Sequence, residues 1–163
     1  MPLTTAQATT LKAAILSETD QAFVALRTAN NEDGMRDWLN TGSTFVVWKT
    51  YVTQDEIMQN GFDWVRVDNL SVGKARIWEW LFDNAQAAIS PSKDNVRAGI
   101  AECWKGTAAD LAVRAAVLTH CRRACTRGER YFASGTGTEA TPGKLGIFEG
   151  LLSAQDISDA LRA

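Results

Sequence analysis

The apolar positions of this chain recur mostly at spacings of three and four, the period of helices with one buried side. Ala6, Ala8, Leu11, Ala14 and Ile15 form a modest stripe through Leu16, behind Thr4 or Thr5, either of which can cap a helix. Ser17 to Asp20 reads as a capping box leading into Phe23, Val24, Ala25 and Leu26, and Asn30-Asn31 ends that run. A short helix follows from Glu32 to Leu39, closed by Asn40-Thr41-Gly42. The period then breaks at Phe45 to Val52, FVVWKTYV, where β-branched and aromatic residues follow one another without helical spacing. This run is a strand or an extended buried connection. No second run offers an obvious partner strand, so the connection is the favoured reading. Thr53 to Glu56 caps a short helix through Gln59, stopped by Asn60-Gly61.

Phe62 to Phe82 holds Trp64, Trp78 and Trp80, half of the six tryptophans. Val65 and Val67 predict a few extended residues. Asp68, Asn69 or Ser71 can then cap a helix in which Val72, Ala75, Ile77, Trp78, Leu81 and Phe82 form a wide buried face. Trp78 and Trp80 are two positions apart and point to different sides of that helix. One belongs to the core, and the other meets a second surface. Trp80, with Trp64, is the candidate for that contact. Pro91 interrupts the chain, and a helix restarts near Asp94 and runs through Ile100, Cys103 and Trp104. Thr107 to Asp110 caps the longest helix, predicted to reach about Cys125, with Leu111, Ala115 and Leu118 on one line and Val113, Val117 and Cys121 on the next. Thr126 to Glu129 is a fresh cap or a continuation of that helix. Ser134 to Gly150 carries five glycines and Pro142, which predicts a loop or arm. Ser153 to Asp156 caps a last short helix. The pattern predicts a mainly α protein. It would be a compact bundle of about six helices, with a short extended segment near 45–52 and a Gly-rich arm near 134–150. Residues 1–133 form the helical domain; the arm and the C-terminal helix, 134–163, belong to the same domain.

Length and composition fit that picture. The chain has 163 residues, 45% of them apolar and 22% charged, ordinary usage for one globular domain. A net charge of −2 supplies no overall field toward nucleic acid or membrane. The charge is nonetheless uneven: residues 1–70 carry nine acids and five bases, while the densest basic stretch, Arg114 to Arg130, carries five arginines against Glu129. Within one helix, Arg123, Arg127 and Arg130 would share a face able to meet phosphates, an acidic partner or solvent. The N-terminus has no secretory leader pattern, so the three cysteines are expected to be free thiols in a reducing, intracellular place of synthesis. His120, Cys121 and Cys125 lie close in sequence, but adjacent helical residues diverge, and packing explains the thiols better than a metal site or a Cys-His dyad. Ser134-Gly-Thr-Gly-Thr lacks the lysine of a phosphate-cradling loop. No catalytic residue, cofactor or metal is expected.

The words FVVWKTYVTQDEIMQNGFDWVRVDNLSVGKARIWEWLF, VRAGI, KGTAADLAVRAAVLTHCRRACTRGERYFASGTGTEATPG and FEGLLSAQDI resemble a family of small structural proteins of tailed bacteriophages. The resemblance covers about residues 45–160 and is one of whole sequence, not of a catalytic motif. It implies a virion component, and within that setting a head–tail adaptor: a homo-oligomeric ring, commonly a dodecamer, joining the portal protein to a tail or nozzle protein at the head–tail junction. DNA would pass through its channel without sequence-specific contact, and no membrane would be involved. The protein would be made in the host cytoplasm. Head-completion, decoration and tail-terminator proteins are alternatives within that setting, and a small DNA-binding protein using the Arg114–Arg130 stripe is one outside it. On the adaptor reading Ile147, Phe148, Leu151 and Leu152 would be the apolar anchors of an arm that orders on assembly.

Overall fold

The structure, a computed structural model, describes residues 2–59, 62–84 and 86–163. It is a mixed α/β fold, 54% helical with 13% strand. This corrects the expected helical bundle. The error lay at FVVWKTYV. Residues Gly42–Trp48 form a true strand, β1, inside a four-stranded sheet. Its partners are short segments with little β signal of their own: β4 (Arg122–Thr126), β5 (Ala133–Ser134) and β6 (Gly143–Leu145), in the order β4-β1-β6-β5. A strand as apolar as β1 must satisfy its backbone groups somewhere, and these weak segments supply the pairing.

The chain divides into two compact units. The first joins residues 1–47 to 124–163, and the second is the intervening 48–123. In the first unit, α1 (Thr5–Ser17) starts at Thr4 in a full capping box with Gln7. α2 (Gln21–Thr28) starts at Asp20 rather than Ser17, its carboxylate accepting from the amides of Ala22 and Phe23. α3 spans Glu32–Leu39, and α10 spans Ala154–Arg162 behind the Ser153–Asp156 box. Leu11, Ile15, Phe23, Met35, Leu39, Leu152 and Ile157 are the centre of its core. The side chain of Asn40 binds the backbone of Leu152 in both directions, donating to its carbonyl at 2.8 Å and accepting from its amide at 2.9 Å.

The glycine-rich stretch is not an arm. β5 pairs antiparallel with β6, matching Ala133 to Leu145 and Ser134 to Lys144. Gly137 donates no flexibility to this stretch: its carbonyl accepts from Val46 at 2.8 Å, and its φ is +66°. A Cβ there would stand 2.2 Å from the Phe45 ring, and one at Gly143 would stand 2.5 Å from the Ser134 carbonyl oxygen. These glycines allow close approach, which composition alone cannot separate from freedom of movement. Phe148 contacts Phe132 at 5.1 Å, and Leu152 is buried, so two of the four expected arm anchors lie in the first unit's own core.

The second unit holds α4 (Gln54–Met58), α5 (Trp64–Asp68), α6 (Val72–Phe82), α7 (Asp94–Cys103) and α8 (Ala108–His120). A two-stranded ribbon pairs β2 (Val52–Thr53) with β3 (Ala88–Ile89). The expected stop at Asn60-Gly61 lies outside the described residues. Residues 64–68, expected to be extended, are helical because Asp63 caps them and Asn69 closes them. Rings of Phe62, Trp78, Phe82 and Trp104 meet at centroid distances of 5.1–6.0 Å, each such pair worth about 0.5–1.5 kcal/mol beyond burial. Val113, Val117 and Cys121 face this cluster, while Leu111 is exposed. α8 ends at His120, earlier than the predicted Cys125. The N–H of Cys121 closes it onto Val117, and the chain then enters β4.

Candidate interaction surfaces

With α8 ending at His120, the arginines do not share one helix. Arg123 lies in β4, whereas Arg127 and Arg130 lie in α9 (Arg127–Arg130), a single turn capped by Thr126 and Glu129. Glu129 is only 1% exposed, and besides closing its own box it accepts from the Gly150 amide at 2.9 Å. It therefore fixes α9 and the chain before α10 to one point.

That turn places Arg127 and Arg130 at a cleft of about 430 Å³ in the first unit, lined also by Glu18, Asp20, Trp38, Ser43, Thr44 and Tyr131. The Arg127 guanidinium sits 4.1 Å over the Trp38 ring, which also meets the Phe23 ring at 4.6 Å. The acids of the cleft already have partners. Glu18 accepts from the Tyr131 hydroxyl and from the amides of Thr19 and Asp20, and Asp20 caps α2. The Tyr131 hydrogen bond is the main reason the Glu18 carboxyl sits below its usual range. Burial, then Glu18, pushes the Tyr131 phenol up. Among the described residues Arg127 and Arg130 make no side-chain hydrogen bond or ion pair, but Arg127 is engaged with Trp38 and the charge of Arg130 contributes to lowering Glu18, so the cleft carries both signs.

The second unit presents apolar surface. Trp80 is 66% exposed and Trp64 is 57% exposed, while Trp78 between them in sequence is buried. Val65 is exposed beside Trp64, and Val72, expected on the buried face, is exposed at the first position of α6. Trp80 lines a cleft of about 410 Å³ with Gln54, Glu79, Phe82 and Asp83. The carboxylates of Glu79 and Asp83 have no hydrogen bond or ion pair among the described residues. In the first unit Ile147 and Leu151 are exposed, flanking the half-buried Phe148 and the buried Leu152.

The cysteines are buried thiols. Burial pushes Cys103 up to about 11 and Cys121 up to about 12, far from a reactive thiolate. His120 is the last residue of α8, Cys121 its cap and Cys125 a strand residue, so the three do not sit on one helix. Among the described residues no group of three or more His, Cys, Asp or Glu could hold a metal ion. No helix among them is long and apolar enough to cross a membrane. Sequence reasoning missed three positioning residues: Asn40, Arg27, which donates to the Ile15 and Leu16 carbonyls at the end of α1, and Arg66, which binds Asp110 at 2.5 Å. Each acts over a sequence separation that no local motif encodes. Comparison of the chain with protein-family models, with curated proteins and with solved structures gave no match in any of the three.

Proposed function

We propose that this protein is a structural component of a tailed-phage virion, a head–tail adaptor that assembles as a ring between the portal protein and a tail or nozzle protein. The observation that carries the reading is the pair of exposed tryptophans, Trp64 and Trp80, on a unit that buries Trp78 and Trp104 in its own core. Large exposed aromatics in an otherwise well-packed unit have the character of interface anchors: tryptophan is among the residues that dominate binding energy when a partner covers them. The whole-sequence resemblance to small phage structural proteins names the setting.

On this reading the protein works by contact, not by chemistry. Its anchors are Trp64 and Trp80 on one unit and Ile147 and Leu151 on the other. The glycine-rich stretch serves as folded scaffold. The decisive experiment is a reconstruction of the virion with this protein located in it. Ring density between portal and tail is the expected result, and density on the capsid lattice or at the tail end would overturn the adaptor assignment. In solution, the purified protein should bind purified portal protein of the same virus. Trp80→Ala should weaken that binding about tenfold or more, as loss of a hot-spot aromatic does.

A further inference from the structure

The two exposed tryptophans of the second unit are held in different ways. Trp80 stands on α6, an eleven-residue helix whose Trp78 and Phe82 are buried in the unit's core, so the core fixes its place. Trp64 opens α5, a single turn in which no residue is buried. Its ring meets Phe62 edge-on at 5.2 Å, and Val67 packs, partly buried, against the core. The remaining hold on the turn is Arg66. Its Nη2 donates to the Asp110 carboxylate at 2.5 Å and to the Thr107 hydroxyl at 3.2 Å. Asp110 is itself fixed by the capping box of α8: its second oxygen accepts from the Thr107 amide at 3.2 Å, and its own amide donates to the Thr107 hydroxyl at 3.1 Å. We propose that Arg66 is the positioning residue of the partner surface: by binding the capped start of α8 it sets where Trp64 stands, and so presents that ring to the portal already oriented. The partner rests on the adaptor reading above; the geometry rests on the second unit alone.

The pair is poorly suited to act for stability alone. Arg66 Nε is buried and, among the described residues, has no acceptor, a cost that a neutral side chain in its place would not carry. The side chains of Arg66 and Asp110 are only 25% and 11% exposed. Taking two charges so far out of water offsets most of their attraction. What the pair supplies is direction. A planar guanidinium on a carboxylate that is itself fixed sets angle as well as distance. An apolar contact such as that of Val67 is not directional. An aromatic anchor gains from this, because a side chain ordered only on binding gives up part of the contact energy to lost freedom.

The test combines Arg66→Met with Asp110→Asn in the full-length chain. Neither charge is then left without its partner, and the asparagine can still accept from the Thr107 amide. Fluorine NMR of protein labelled with 5-fluorotryptophan reads the six indoles separately. The Trp64 resonance should move and sharpen toward that of a freely rotating side chain, while those of Trp78 and Trp104 stay in place and the thermal midpoint changes little. Binding to purified portal protein of the same virus should weaken about tenfold. Adding Trp64→Ala to the variant should weaken it no further than Trp64→Ala alone, because Arg66 acts through Trp64. A second variant, Arg66→Lys, keeps the charge but replaces the fixed fork with a flexible point donor, and should show the same changes in part. An unmoved Trp64 resonance in both variants overturns the proposal. So does a shift shared by Trp78 and Trp104, which would make the pair a support of the whole unit, and so does portal affinity equal to wild type. If the wild-type protein binds no portal, the adaptor reading falls, and the Trp64 resonance alone decides whether Arg66 sets that side chain.

Discussion

At the scale of single residues, two glycines with opposite surroundings separate packing from backbone entropy. Gly137 has φ +66°, and a Cβ there would fall 2.2 Å from the Phe45 ring. Gly137→Ala should therefore destabilise by about 2–4 kcal/mol, since strain and overpacking add. Gly73 sits in α6 with nothing within 4 Å of an added Cβ. Gly73→Ala should stabilise by about 0.4–1 kcal/mol, through helix propensity and a less disordered unfolded chain. Chemical denaturation midpoints of the two variants moving in the same direction would refute this account. Tyr131 gives a second residue-scale prediction, this one dependent on pH. Its hydroxyl donates to Glu18 and is the first cause of that carboxyl's lowered pKa. A lowered carboxyl contributes stability that is fully present above its ordinary pKa of 4.5 and is lost as pH falls through the folded value. Tyr131→Phe should cost about 1 kcal/mol at neutral pH, a figure kept small because Glu18 is largely solvated. The gap between variant and wild type should narrow as pH drops below 4.5. A gap of constant size from neutral to acid pH would show that the hydroxyl acts through packing alone.

At the scale of elements, most caps were legible, the start of α2 at Asp20 and the Asp63 cap of α5 excepted, and the sheet was not; the reason for the sheet is sequence separation. Thr4, Thr53, Ser71, Thr107, Thr126 and Ser153 each bind an amide three residues on, so their spacing is written in the local sequence. β4, β5 and β6 become strands only because β1 and its neighbours need pairing, and RRACT, AS and GKL carry no signal that says so. Of the candidate surface, the division between Trp78 and Trp80 was legible from a two-residue offset. The packing of Phe148 and Leu152 on the first unit's core was not, since an apolar pattern does not name the surface it packs on. Asn40 belongs to the illegible class. Its side chain pairs with Leu152 across more than a hundred residues and, with Glu129 at Gly150, holds the chain entering α10. Asn40→Ala leaves a buried amide and carbonyl without partners and should cost about 1–3 kcal/mol. Hydrogen exchange should localise the effect: the Leu152 amide should lose protection before the amides of α8 do. Uniform loss across the chain would mean that Asn40 supports the fold in general and not that one connection.

At the scale of the molecule, the division into two units makes a prediction about the chain's architecture. The second unit is inserted between two strands that are neighbours in the first unit's sheet. The end of β1 lies beside the start of β4, where the Lys49 amide donates to the Cys121 carbonyl at 2.9 Å. An insertion that leaves and returns at adjacent points is removable in principle, because a short turn can bridge the gap it leaves. Each unit also has its own buried cluster, centred on Leu11, Phe23, Leu39 and Ile157 in the first and on Trp78, Ile100, Trp104 and Val117 in the second. Each is on the order of 80 residues, a size at which single domains fold alone. A chain joining residues 1–48 to 122–163 through an Asn-Gly turn should therefore fold, with cooperative thermal unfolding and dispersed amide resonances. Residues 48–123 expressed alone should do the same. If neither fragment folds, the two clusters depend on each other, and substitutions in one should then be felt throughout the other.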